Sequence, residues 1–466
     1  MSCESLPANP ELPQLAIAGD REQMRELFQR FLRPIAGRSY TINDCQLSRV
    51  RYRQGTRSVL QYTLRLVERE TGCERSQCVT GVVYPSDPSD PDDRDGHLAR
   101  KLRAGNPSAL VPEAFQTFEP VSYIPELKML VQVYPCDRRL STLPLLMAGP
   151  PPELEPDLLA EFGPGDWQIQ AWKTEPIQYR AGLSAVLRYT LQARDAVSGK
   201  TAERRFYAKV YRDDTEGEQT YQLLQALRAI ANGRAAGFTV GRPVAYCARL
   251  RTLLHEEAPG TPLLQILLKG GDTDAAVRQV ARALADFNQE CVTTTRLHTF
   301  ADQISHLERA GVRLRCVCPH LSEDIDQVID AVKTGLDEAP PGPTHRDIKA
   351  DHILLDGDRV VLIDLDSFAA ADPVLDPALL LARLSAMPIR HLLPRGRFQT
   401  AARAFAEEYF ARVPPAWRDR LALHFAGAAL EVAVGFFGRQ EPRWPETIAA
   451  LVQEAKDALT GESQWY

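Results

Sequence analysis

The chain has 466 residues, 44% of them hydrophobic, and 55 Lys and Arg against 61 Asp and Glu give it a net charge of −6. That length and apolar content can bury a large core and predict two or three domains. The acidic balance argues against nucleic acid as the main partner, because a phosphate backbone calls for a basic face. No apolar run looks long enough to span a bilayer, so no membrane partner is expected. Met1–Pro7 lacks the basic-then-apolar pattern of a signal peptide. Nine scattered cysteines, an odd number, read as reduced thiols and place the chain in the cytoplasm.

In chain order, Asp20 to Pro34 reads as an amphipathic helix. Asp20 caps it with Gln23 three residues on, and Met24, Leu27, Phe28, Phe31 and Leu32 form one apolar stripe. Strand signals follow at Gln46–Tyr52, Ser58–Leu66 and Gln77–Tyr84, with Gly55 and Thr71-Gly72 at the turns. After Trp167 the pattern returns. Tyr52, Tyr62 and Tyr84 recur 127 residues later as Tyr179, Tyr189 and Tyr211, and Pro120-Val121-Ser122-Tyr123 recurs 123 residues later as Pro243-Val244-Ala245-Tyr246. The difference in offset falls where the first copy carries an acidic, proline-rich stretch from Pro85 to Asp93, read as an exposed loop. The chain therefore contains an internal duplication of a small sheet-plus-helix unit.

The two copies differ in chemistry. Phe206-Tyr207-Ala208-Lys209-Val210-Tyr211 puts a lysine on an apolar strand, where it must snorkel or find a partner, since a buried unpaired ammonium is costly. Glu218, ahead of the stripe Tyr221, Leu224, Leu227 and Ile230, is the candidate partner, with Glu216 as the fallback. In the first copy Val82 occupies the lysine position. Gly182 marks the turn in Tyr179-Arg180-Ala181-Gly182-Leu183-Ser184, and Glu257 and Ala258 follow the strand-like run Leu253-Leu254-His255.

From Pro262 onward the chain turns helical. Thr273–Glu290 and Ser322–Leu336 carry single apolar stripes, and Leu375–Leu384, Phe398–Phe410, Trp417–Phe437 and Ile448–Leu459 read as helices. Cys316-Val317-Cys318-Pro319-His320 has no second cysteine pair nearby and reads as packing thiols. Arg390, His391, Arg395 and Arg397 read as a solvated basic cluster.

Between the second and third of these helices lies His345-Arg346-Asp347-Ile348-Lys349-Ala350-Asp351-His352, then two short apolar runs flanking Asp356-Gly357, then Ile363-Asp364-Leu365-Asp366. Asp-Gly between apolar runs is a strong hairpin signal. Because a hairpin returns to its start, His352 and Asp364 are expected together at the open end, with Asp347 one loop away. A loop acid beside a metal-binding pair suits phosphoryl transfer, in which one carboxylate orients a hydroxyl while others hold a cation against the phosphates.

His345-Arg346-Asp347, the hairpin and Ile363-Asp364 resemble the catalytic signature of kinase-like phosphotransferases. Ala371-Asp372-Pro373-Val374-Leu375-Asp376 is similar to the Gly-Asp-Pro-x-x-Asp segment of the aminoglycoside phosphotransferase and choline kinase-like family, with Ala for Gly. That resemblance covers about residues 165 to 460 and implies an α+β, protein kinase-like bilobal fold, with an antiparallel-sheet small lobe and a helical large lobe. A degenerate copy of the small lobe precedes it, similar to the N-terminal cap of maltokinase-like members. The implied domains are 20–150 for the cap, 160–260 for the small lobe and 261–466 for the large lobe. The implied activity is that of a small-molecule kinase moving the γ-phosphoryl group of ATP to a hydroxyl of a sugar, aminoglycoside or amino alcohol, with Mg²⁺ as cofactor.

By the same resemblance Asp347 is the base, Asp364 the principal metal ligand, and His352 and Asp366 further metal candidates. Lys209 anchors the nucleotide phosphates with Glu218 as its partner, Gly182 turns above the nucleotide, and Glu257 and Ala258 meet the adenine edge. Asp376 braces the catalytic loop. His352 departs from the motif, which has Asn. It leaves a second metal position empty, ligates a nitrogen-tolerant metal such as Mn²⁺, or bonds a phosphate oxygen; the first is favoured because Mg²⁺ is the usual metal of ATP. Two other classes compete. Lys349 suits a Ser/Thr protein kinase, although no Ala-Pro-Glu motif follows Asp376. A non-catalytic pseudokinase is compatible with His352 and with the lack of a Gly-rich loop.

Overall fold

The alternating apolar runs of the first copy pair as strands. In the computed structural model, which describes residues 6, 12–35, 37–53, 57–85, 111–233, 237–292 and 294–462, β1 (Tyr40–Arg53), β2 (Arg57–Glu68), β3 (Glu74–Val83), β4 (Val121–Ile124) and β5 (Met129–Val133) form a sheet in the order β1-β2-β3-β5-β4. The second copy supplies β6 (Trp167–Arg180), β7 (Ser184–Asp195), β8 (Thr201–Tyr211), β9 (Pro243–Cys247) and β10 (Thr252–Glu256) in the corresponding order β6-β7-β8-β10-β9. Gly55 and residues 86–93, named above as a turn and an acidic loop, lie outside the described residues.

The duplication extends to register. Val82 pairs with Val59 and Leu130, and Lys209 pairs with Val186 and Leu253. Lys128 and Arg251 end equivalent single-turn helices at φ 45° and 49°. Tyr62 and Tyr189 are both fully buried, and their hydroxyls donate to the carbonyls of Ala18 at 2.7 Å and Leu146 at 2.8 Å. A buried phenol needs such an acceptor, so each sheet ties down a helical segment that precedes it.

Internal contacts divide the chain into two units. Met1–Glu218 with Val244–Glu256 holds both sheets; Gln219–Pro243 with Glu257–Tyr466 is mainly helical. Helices of the second unit include Thr273–Asn288, Ser322–Gly335, Leu375–His391, Arg395–Phe410 and Trp444–Thr460, close to the sequence expectation. Two differences have local causes. A helix at Phe300–Val317, not foreseen, starts on a capping box in which Thr299 and Asp302 exchange side-chain and backbone bonds. The run Trp417–Phe437 breaks at Arg420 into Pro415–Asp419 and Leu421–Gly438. Leu421–Gly438 is long and apolar enough to cross a membrane by length and composition, which corrects the expectation that no such run exists. Two-thirds of it is buried inside the unit, against Phe300–Val317, Ser322–Gly335, Leu375–His391 and Trp444–Thr460.

The class is therefore α+β. In the first unit, helix Arg21–Phe31 starts on Asp20, whose side chain accepts from the Gln23 N–H as expected. It buries Phe28 completely, edge-on to the Tyr62 ring at 5.1 Å. Phe28→Ala is expected to destabilise this unit by about 3–5 kcal/mol, read as an earlier urea transition; an unmoved transition would show that the helix adds little to the sheet.

Candidate active site

The catalytic segment lies wholly within the second unit. Strands Ile353–Asp356 and Arg359–Leu362 pair Asp356 with Arg359, so the turn is Gly357-Asp358, with Gly357 at φ 58°. That is one residue beyond the Asp-Gly pair read from the sequence. The return brings His352 Nε2 to 3.3 Å from Asp364 Oδ2. Asp347 joins them, and ligand-capable atoms of the three residues all lie within 4.8 Å of one another. Asp364 and Arg346 adopt left-handed backbone at φ 61° and 63°, a conformation that L-residues hold only when their surroundings impose it.

Asp376 supplies much of that imposition. It is fully buried at the start of helix Leu375–His391. Its carboxylate accepts from the His345 N–H at 2.8 Å, the Arg346 N–H at 2.9 Å and the Asn288 side-chain amide at 2.9 Å. Burial pushes its carboxyl pKa up, and His345 and these donors oppose that shift. Asn288 is itself fixed by the Tyr409 hydroxyl at 3.0 Å. Upstream in the same motif, Asp372 takes His424 Nε2 at 2.7 Å and pairs with Arg420.

His352 is nine-tenths buried, and burial lowers its pKa well below the ordinary imidazole value despite the opposing pull of Asp364. A neutral imidazole has one N–H. Here two acceptors face it: the Asp347 carbonyl lies 3.1 Å from Nδ1, and Asp364 lies beside Nε2. One of those contacts must set a lone pair against an oxygen. If Nδ1–H donates to the carbonyl, as the non-ligating nitrogen of metal-bound histidines commonly does, Nε2 and Asp364 present a nitrogen and an oxygen donor to a shared cation. The residues fit a divalent cation, with an imidazole nitrogen in the set.

Asp366 lies on the short turn Leu365–Ser367, outside the cluster of three, and its carbonyl accepts from Arg296. Two further residues, Arg383 and Glu431, escaped the sequence reading, and two residues of the motif take on contacts it did not show. Arg383 Nη2 donates to Asp347 Oδ1 at 2.6 Å, while Lys349 Nζ is 3.9 Å from Oδ2. The His345 ring stacks on His352 at 5.9 Å and contacts the Ile363 carbonyl at 2.9 Å. Glu431, whose carboxyl burial pushes up to about 7 against the pull of Arg346, Arg383 and Arg309, is a lone acid in the apolar helix Leu421–Gly438; that isolation was a usable signal. Of the basic cluster, Arg390 pairs with Glu441 at 2.7 Å and Arg395 with Glu454, so these two side chains serve the fold.

In the first unit, Lys209 is 8% exposed on β8, with its ammonium 5.9 Å from the Tyr211 ring. Glu218 is exposed and forms no ion pair among the described residues, so it is not brought to Lys209; Glu216, the fallback, is half-buried. Gly217 explains the geometry, because a Cβ there would meet Tyr246 at 2.5 Å and Tyr211 at 2.9 Å. Only a glycine lets the helix approach these rings, and the next residue is carried outward. Gly182 turns at φ 63° and donates its N–H to Asp137 Oδ2 at 2.6 Å. Glu257 and Ala258, which belong to the second unit, follow β10 in a stretch without regular structure.

Residues 193–424, which include the motif segments from Lys209 to Asp376, match the phosphotransferase enzyme family. Those residues, just under half of the chain, are similar to that family. No curated protein matches the chain. Among solved structures, an aminoglycoside phosphotransferase, APH(2'')-Ib, with ADP bound is 14% identical, with 66% of this chain and 99% of that one covered at a TM-score of 0.39. Choline kinase from Cryptosporidium parvum Iowa II is 11% identical, covering 62% and 89% at 0.42. A putative fructosamine-3-kinase from Thermobifida fusca is 21% identical, covering 63% and 94% at 0.39. The fold is α+β, with two sheets of the same strand order in the first unit.

Removing the Asp376 carboxylate leaves two backbone N–H groups and an amide without their acceptor. Asp376→Ala is expected to cost on the order of 3 kcal/mol or more, with faster hydrogen exchange at His345 and Arg346. Unchanged exchange at those two amides would remove Asp376 from its bracing role.

Proposed function

We propose that this chain transfers the γ-phosphoryl group of ATP to a hydroxyl of a small molecule (a sugar, an aminoglycoside or an amino alcohol) in the cytoplasm, assisted by Mg²⁺ or the more nitrogen-tolerant Mn²⁺. The observation that carries this reading is the convergence of Asp347, His352 and Asp364 within 4.8 Å on a loop braced by a buried carboxylate. Asp364 and His352 hold the cation, which when bound screens the phosphate charges. Asp347 orients the acceptor hydroxyl and takes its proton, and Lys209 anchors the phosphates. Phosphoryl transfer demands little covalent chemistry of the protein, so positioning of this kind is most of what it must provide. A small acceptor is favoured over a protein because helix Leu375–His391 begins 11 residues after Asp364, leaving little chain for a peptide-docking segment. The eight described cysteines form no disulfide with one another, in keeping with a reducing compartment.

The test is ADP release measured across sugars, amino alcohols and aminoglycosides. On an acceptor so identified, Asp347→Asn should lower turnover by about 10²–10⁴-fold, while ATP still raises the melting temperature. Full activity in that variant would exclude Asp347 as the base. The placement of His352 favours a pseudokinase as the second reading; ATP binding with no ADP release on any acceptor would select it.

The metal has its own test. With an imidazole nitrogen in the donor set, turnover should be higher with Mn²⁺ than with Mg²⁺, and His352→Asn should lower that ratio by restoring an oxygen ligand. A ratio that the substitution leaves unmoved takes His352 out of the metal site.

A further inference from the structure

The duplication leaves a second face equivalent to the one that carries Lys209. In the first sheet Val59, Val82 and Leu130 occupy the register positions of Val186, Lys209 and Leu253. They line a pocket of about 40 Å³ whose rim brings together Arg51, Arg57, Arg138 and Arg139. Among the described residues Asp137 is the one acid in the lining. That carboxylate is committed, since it accepts from the Gly182 N–H at 2.6 Å, the Tyr179 hydroxyl at 2.9 Å and the Arg139 N–H at 2.7 Å. Arg51 reaches the Ala181 carbonyl at 2.9 Å. Arg57 and Arg138 make no hydrogen bond or ion pair among the described residues.

We infer that this pocket binds a small phosphate-bearing anion. In a chain of net charge −6, arginines gathered in one concavity are a local departure from the overall charge, and an anion placed between Arg57 and Arg138 would satisfy both. The guanidinium fork matches phosphate oxygens two at a time. Two such forks, from Arg57 and Arg138, suit the several oxygens of a phosphate better than the two of a single carboxylate. The volume has room for a phosphoryl head. Replacement of lysine by Val82 makes this site distinct in kind from the face it duplicates. Because Asp137 also holds Gly182 and Tyr179 of the second sheet, occupancy tightens the junction of the two copies within the first unit.

The inference does not depend on the proposed reaction. The test uses the full chain, titrated at constant ionic strength with inorganic phosphate, glycerol 3-phosphate and succinate, with melting temperature as the readout. A saturable rise is expected with the two phosphates and not with succinate. The rise should disappear in Arg57→Ser/Arg138→Ser, whose own melting temperature without phosphate matches that of the parent, and persist in Lys209→Ala. A larger effect of glycerol 3-phosphate assigns the site to phosphate monoesters, and an equal or smaller one to the free ion. No rise in the parent chain, an equal rise with succinate, a rise retained in the arginine variant, or a rise lost in Lys209→Ala would each overturn the inference.

Discussion

The loop and hairpin from His345 to Asp364 depend on one buried carboxylate. Asp376 lies at the first turn of a helix and receives two consecutive backbone N–H groups, from His345 and Arg346. Burying a charge is costly unless it is fully bonded, and the loop supplies that bonding only in one conformation. Asp376 therefore selects the loop shape, including the left-handed φ of Arg346, and that shape aims Asp347. The hairpin then adds Asp364 through the strand pairing that begins at Ile353↔Leu362. Two anchors, one electrostatic and one a hydrogen-bond ladder, thus fix two sides of the same small space. Neither anchor itself needs to touch a substrate.

The duplicated sheets separate scaffold from chemistry. Both copies keep the strand order, the left-handed residue after the single-turn helix and the buried tyrosine. What changes is the side chain in the register slot shared by Val82 and Lys209. A backbone of this kind is specified by alternation and turn residues, which tolerate exchange at a single inward position. Charge in that slot is an addition to the fold, and its loss in one copy costs the sheet nothing structurally.

Local patterns were legible in the sequence, and long-range pairings were not. The Asp20 cap and the hairpin around Gly357 each follow from residues a few positions apart, and the duplication follows from tyrosines repeated at a constant offset of 127 residues. The meeting of His352 with Asp364 was readable because a hairpin geometrically returns to its origin. The helix Phe300–Val317 was missed although Thr299 and Asp302 spell its start; its buried face includes Gln303 and Gly311, which interrupt the apolar stripe. Glu218 was misjudged because helical spacing places a residue on a face but does not reveal that Gly217 presses against two tyrosine rings. Arg383 lies 36 residues from Asp347, and no periodicity links them.

Arg383 changes how Asp347 is understood. A carboxylate on an open loop samples many orientations, and a hydroxyl acceptor needs one of them. The 2.6 Å bond from Arg383 occupies Oδ1, and a charge-assisted bond of that length holds the group in plane. Oδ2 is left with Lys349 at 3.9 Å, beyond hydrogen-bond range, so it is the less engaged of the two oxygens and the one that the proposed hydroxyl acceptor would meet. In a loose phosphoryl-transfer transition state the acceptor proton leaves late and charge gathers on the phosphoryl oxygens. A base in such a reaction gains more from being aimed than from being strong. The arginine on Oδ1 is consistent with that order of priorities for the proposed reaction, and it makes the two oxygens of Asp347 unequal.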